Sequence, residues 1–275
     1  SSWFKITENI KFQPSEFAKI FVIFFLSYNI AKVQERGREE INKIGKLSLL
    51  LLIVIIPTIL IVLQPDYGTA LAFILSTVLI LFVSGIDKKY IILSVLVVCI
   101  VLPILYFYIL PEHAKTRIDV YLNPNLDPRG AGYNIIQSKL AIGAGQLFGM
   151  GLLKGNQTQL GFLYPKTTDF IFAVIGEEMG FVVAATVIIT YVVLITRAIF
   201  IAKTARDNLG SYIAIGIAGI FLFHMTENIG MAMGLLQITR VPLPFVSYGG
   251  STLLTKLMMI GLLLNINGRR QKAIF

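Results

Sequence analysis

Apolar runs broken by short polar stretches follow one another from Pro14 almost to the C-terminus. A helix crossing ~30 Å of hydrocarbon needs about 17 to 25 mostly apolar residues. Runs of about that length or longer predict spans over residues 15–33, 46–64, 68–86, 88–110, 170–200, 210–235 and 248–267. Only "QPDYGT" separates the second from the third, and Pro65 and Gly68 there force a tight hairpin. The expected fold class is an all-α polytopic membrane protein with seven transmembrane helices. The stretch 111–168 is too long to be a passive connection. Its middle, "AGYNIIQSKLAIGAGQLFGMGLL", has helical apolar spacing at Ile135, Ile136, Leu140 and Ala141, then Gly143, Gly145, Gly149 and Gly151. This predicts an interfacial or re-entrant helix followed by irregular backbone packed against protein.

Composition agrees: 56% of the 275 residues are hydrophobic and 14% charged, which excludes an ordinary soluble domain. The net charge of +9 does not indicate nucleic acid, because the basic residues lie in loops between apolar runs without a basic helix or zinc motif. They read as topology signals and as binders of anionic headgroups. Lys32, Arg36, Arg38, Lys43 and Lys46 fall in one loop and Lys88 and Lys89 in another. Arg197, Lys203 and Arg206 fall in a third, and Arg269, Arg270 and Lys272 in the tail. All four segments share one side, which the positive-inside rule makes cytoplasmic. Residues 1–14, "QPDYGT", 111–168 and "QITRVPLPFVSYGG" then face outward, with Asp66 and Asp169 at the outer surface and Glu16 close by. The single Cys99 has no partner for a disulfide. The first fifteen residues lack the pattern of a signal peptide, and an N-terminal part is expected to be missing.

Charges inside apolar runs are costly in hydrocarbon and mark candidate sites. "KTTDFIFAVIGEEMGF" carries Asp169, Glu177 and Glu178. At 3.6 residues per turn Asp169, Ala173, Gly176 and Gly180 share a stripe of small residues, which permits close helix approach or a groove. Glu177 and Glu178 lie about two turns deeper and read as structural or cavity-lining partners of intramembrane groups such as Lys256. In "FQPSEFAK", Glu16 and Lys19 share a face of the first span, either as a dipole-favoured acid with a snorkelling lysine or as a pair facing a polar cavity. Asp66 and Asp169 each also fit a helix cap. His224, Glu227 and Asn228 form a further polar cluster, with His224 at helical contact spacing from the other two, and no metal motif. No phosphate loop, G-x-S-x-G elbow or H-E-x-x-H is present.

"FQPSEFAK", "QPDYGT", "NPNLDPRGAGYNIIQSKLAIGAG", "TDFIFAVIGEEMG" and "NIGMAMGLLQITRVPLPFVSYGGS" together resemble the SEDS family (shape, elongation, division, sporulation), and its rod-shape branch more than its division branch. The resemblance covers essentially the whole chain as one integral-membrane domain, 1–275, and matches the last seven of the family's ten helices.

The resemblance implies peptidoglycan glycosyltransferase activity in the bacterial cytoplasmic membrane: lipid II, the undecaprenyl-pyrophosphate-linked disaccharide pentapeptide, is polymerised on the extracytoplasmic side. By motif, Asp169 is the implied catalytic residue, and Trp3, Glu16, Lys19 and Asp66 match further family positions at the substrate. Arg117, Lys139 and Arg240 join Lys19 as candidates for the leaving diphosphate. Glu177, Glu178, Glu227, Asn228 and Lys256 read as cavity-lining or structural. No cofactor is fixed, and a divalent cation, Mg²⁺ or Mn²⁺, is left open. The implied protein partner is a class B penicillin-binding transpeptidase. One departure matters: the family commonly has "LPExHTDF", whereas this chain has "LYPKTTDF", losing the glutamate and histidine. Rival readings are a lipid II flippase and a scaffold for the transpeptidase.

Overall fold

A computed structural model describes residues 4–5, 11–104, 115, 119–121, 123, 126–128, 130, 132–239 and 241–270. Among them a minimal antiparallel pair, β1 (Phe4–Lys5) with β2 (Lys11–Phe12), precedes α1 (Pro14–Gln34), α2 (Ile44–Val62), α3 (Tyr67–Ser84) and α4 (Lys88–Ile104). Two shorter helices, α5 (Tyr133–Ala144) and α6 (Asn156–Gln159), occupy the long loop. Then follow α7 (Ile171–Thr204), α8 (Asn208–Ala232) and α9 (Gly250–Gly268). A long helix therefore stands at each of the seven expected spans. Five of them (α2, α3, α7, α8 and α9) are long and apolar enough to cross a membrane. The other two are α1, which carries Glu16, Lys19 and Lys32, and α4, whose 17 residues end at Ile104, with the rest of that expected span outside the described residues.

The chain forms two compact units: residues 1–86, 187–226 and 239–275 make the first, and 87–186 with 227–238 make the second. In the first, α1 packs against α2, α3 and α9. It buries Glu16, Lys19, Ile23, Leu26 and Ile30 at helical spacing and turns Phe21, Phe24, Phe25 and Tyr28 outward. A methyl at Gly219 of α8 would lie 3.0 Å from the Cα of Ser76 in α3, so small residues set that close approach. Gln34 donates to the Ser84 carbonyl (2.7 Å) and accepts from Tyr212, joining α1, α3 and α8. In the connection after α1, hydrogen bonds from Lys43 and Lys46 hold the Glu40 carboxyl down at about 2.

In the second unit, α7 is not the continuous helix its sequence predicts. At Gly180 the backbone leaves helical geometry (φ 77°, ψ −176°). The loop after α5 fills the break: the amides of Met150 and Gly151 donate to the carbonyls of Glu177 and Glu178 (2.9 Å each). The amides of Phe181 and Val182 donate to those of Gln146 (2.9 Å) and Leu147 (3.2 Å). Away from water, backbone groups freed by a break must find protein partners, and the glycine-rich segment supplies four. Its fit depends on missing side chains, since a Cβ on Gly145 would lie 1.8 Å from the Gly176 carbonyl oxygen. The small-residue stripe below Asp169 thus serves close approach.

Candidate functional site

The first unit holds a buried ion network. Glu16 and Lys19 lie three residues apart on α1 with the Nζ of Lys19 2.6 Å from Oε1 of Glu16. Lys256 of α9 reaches Oε2 of the same carboxylate at 3.0 Å, and the Thr255 hydroxyl adds a longer contact of 3.4 Å. Glu16, Lys19 and His224 are each 1% exposed and Lys256 0%. The remaining partner of Lys19 is Nε2 of His224 at 3.0 Å, while Nδ1 of His224 lies 3.1 Å from the Pro242 carbonyl. An ammonium can only donate, so Nε2 accepts and Nδ1–H donates, which assigns the neutral tautomer. Two ammoniums then share one carboxylate, a net charge of +1 at a site removed from water.

Lys256 finds its acid in Glu16 of another helix, where the sequence offered Glu177 and Glu178, and His224 bonds to Lys19 and the Pro242 carbonyl. Sequence position alone cannot say which neighbouring helix supplies the partner of a buried charge. Asp66 caps α3, accepting from the Thr69 amide (3.2 Å) and from Nε2 of Gln13 (3.2 Å), as its place before a helix allows.

In the second unit, Asp169 is 8% exposed and lies just ahead of α7. That helix begins at Ile171, so the cap position falls on Phe170 and leaves Asp169 one residue outside it. Leu163, Phe170 and Phe172, each at most 3% exposed, wall the turn, and fully buried Asn228 donates through Nδ2 to the Asp169 carbonyl at 2.9 Å. The backbone that carries the carboxylate is therefore fixed from α8. Glu227 is buried as well. Lys139 of α5 is exposed, with its side chain lying over Gly234, where a Cβ would meet its Cε at 2.2 Å.

Glu177 and Glu178 bind the loop. Glu177 accepts from the amides of Gln157 (2.7 Å) and Thr158 (3.0 Å). Glu178 accepts from the Leu153 amide (3.0 Å), the Thr158 hydroxyl (3.1 Å) and Nε2 of Gln159 (2.8 Å). Lys166 donates to the Thr158 carbonyl at 2.8 Å. Two carboxylates in an apolar helix are offset mainly by these neutral donors. Thr158, Gln157, Gln13 and Thr255 were missed as partners, since nothing in their local sequence distinguishes them from ordinary polar residues. Trp3, Arg117 and Arg240 lie outside the described residues. Among the described residues, no three His, Cys, Asp or Glu side chains are grouped to hold a metal ion.

Apolar helices interrupted by buried ion networks and a loop-filled break define a multi-pass integral membrane protein. Residues 1–272 match the family model of FtsW, RodA and SpoVE, described as "Cell cycle protein". The chain is 39% identical over 262 residues to the "Peptidoglycan glycosyltransferase MrdB" of Escherichia coli K12, covering 95% of this chain and 70% of that protein. It is also 39% identical over 268 residues to the "Probable peptidoglycan glycosyltransferase FtsW" of Trichlorobacter lovleyi, covering 97% and 68%. A chain of a solved "peptidoglycan synthase complex" aligns with TM-score 0.83 at 26% identity, over 98% of this chain and 74% of that one. The rod shape determining protein RodA of Thermus thermophilus aligns with TM-score 0.67 at 25% identity, over 98% and 70%. The chain belongs to the FtsW/RodA/SpoVE family, the SEDS family of its sequence motifs.

Proposed function

We propose that the protein is a peptidoglycan glycosyltransferase that polymerises lipid II into glycan strands for cell elongation, working at the extracytoplasmic face of the bacterial cytoplasmic membrane. The observation that carries this reading is Asp169: an almost fully buried acid on a backbone fixed by Asn228, in a chain 39% identical to a named peptidoglycan glycosyltransferase. In the reaction, the 4-hydroxyl of the acceptor GlcNAc attacks the anomeric carbon of the donor MurNAc. That carbon inverts, the new glycosidic bond forms, and the bond to undecaprenyl pyrophosphate breaks. The attacking hydroxyl must lose its proton, and Asp169 is assigned as the base that takes it or the acceptor's organiser.

The departing diphosphate needs positive charge. Lys139, exposed in the same unit as Asp169, is assigned to it together with Arg117 and Arg240. Lys19 is engaged by Glu16 and His224 and reads as part of the ion network. The partner is a class B penicillin-binding transpeptidase, a reading supported by the solved complex, which is described as coordinating polymerization and crosslinking.

Purified protein supplied with lipid II is expected to yield long glycan on a gel, and the Asp169→Asn variant none. Polymer from the variant at the normal rate would overturn the assignment of Asp169. Transfer of lipid II across vesicles without polymer would favour a flippase.

A further inference from the structure

Thr158 is fully buried and every polar group it owns is engaged. Its amide donates to Glu177, its single hydroxyl proton is shared between Glu178 (3.1 Å) and the Gly155 carbonyl (3.2 Å), and its carbonyl accepts from Lys166. Lys166 precedes Asp169 by three residues, and Glu177 and Glu178 follow it by eight and nine. The polypeptide on both sides of Asp169 is therefore tied to a single residue of the loop. On the downstream side the tie is double and built from carboxylates on a helix. Upstream, among the described residues, the side-chain tie to Thr158 is the Lys166 bond. It crosses a turn in which the Phe170 amide also donates to the Pro165 carbonyl at 3.3 Å.

We propose that Lys166 is a positioning residue for Asp169: by holding the turn 163–170 to Thr158, it sets where the Asp169 carboxylate stands relative to the acceptor hydroxyl. The inference rests on reading Asp169 as the group that handles that hydroxyl. A proton acceptor works only within hydrogen-bond reach of its donor, and a misplacement of about 1 Å costs on the order of 100-fold in rate. A flexible lysine suits the task because its ammonium reaches a backbone carbonyl, an acceptor that no side-chain substitution at position 158 removes. In "LYPKTTDF" the lysine supplies the contact to Thr158.

The test compares Lys166→Met, which keeps the apolar stem and removes the donor, with Lys166→Arg, which keeps a donor. Both are assayed with lipid II per amount of monodisperse protein, beside the wild type and Asp169→Asn. The methionine variant is expected to lose about 10- to 100-fold in kcat with KM unchanged, and arginine to restore most of the loss. Hydrogen exchange at the amides of residues 168–170 is expected to quicken in the methionine variant and not in the arginine variant. Wild-type kcat in Lys166→Met, a loss that arginine does not restore, or a rise in KM at constant kcat would each overturn the inference. If Asp169→Asn polymerises normally, the reading of Asp169 fails, whatever Lys166 does. If Asp169→Asn is inert and Lys166→Met is not slowed, the positioning role alone fails.

Discussion

Glu16 is the one carboxylate between two buried ammoniums, Lys19 and Lys256, and this sets how each substitution should behave. Replacing Glu16 by glutamine leaves two like charges without a counter-ion, and breaking a buried pair in this way costs about 3–5 kcal/mol. Replacing Lys256 by methionine instead leaves a neutral Glu16–Lys19 pair in a well-packed site. Thermal unfolding in detergent should therefore show Glu16→Gln far less stable than Lys256→Met; the reverse order would mean that the cluster carries a different charge. The acids were legible as residues out of place in apolar runs. Their partners were not, because the same helical spacing that offers Glu16 to Lys19 says nothing of Lys256, 240 residues away.

At the scale of elements, α7 shows why an apolar run does not guarantee a continuous helix. Residues 170–200 read as one long apolar span, and at the Gly180 break another segment takes up the freed backbone groups. Gly180 has a positive φ, and a Cβ there would sit 2.3 Å from the Gly149 amide nitrogen; Gly145 has no room for a methyl either. Ala at either position should expel the loop or strain both backbones, at a cost of about 1–3 kcal/mol or more. The check is hydrogen exchange at residues 146–151, which should quicken in both variants. Protection equal to that of the wild type would show that the break does not depend on these glycines. The glycine-rich sequence did point to irregular backbone packed on protein, though not to the helix that receives it.

For the whole molecule, the distribution of Lys and Arg among the short loops predicts which side each connection faces. In a Cys99→Ser background, cysteines introduced at Lys154 and Tyr248, both exposed, should react with a membrane-impermeant maleimide in intact cells. Those placed at Glu39 and Arg206, also exposed, should react only after permeabilisation. Labelling of Arg206→Cys in intact cells would overturn the orientation and, with it, the placing of Asp169 on the extracytoplasmic side.

Taken alone, the sequence determined the helical class, the position of seven long helices, the placing of basic residues between apolar runs and the family, along with the acids that stand out against hydrocarbon. The helices follow from composition and local periodicity and the family from its motifs, all of which depend on residues close together in the chain. Only the tertiary structure decided that Lys256 belongs to Glu16, that His224 is held neutral between Lys19 and Pro242, and that Glu177 and Glu178 grip Thr158. Only it showed that α7 opens to admit the loop. Each of these is a competition among partners distant in sequence for a limited number of donors and acceptors, and a buried polar group takes whichever partner packing brings within about 3 Å.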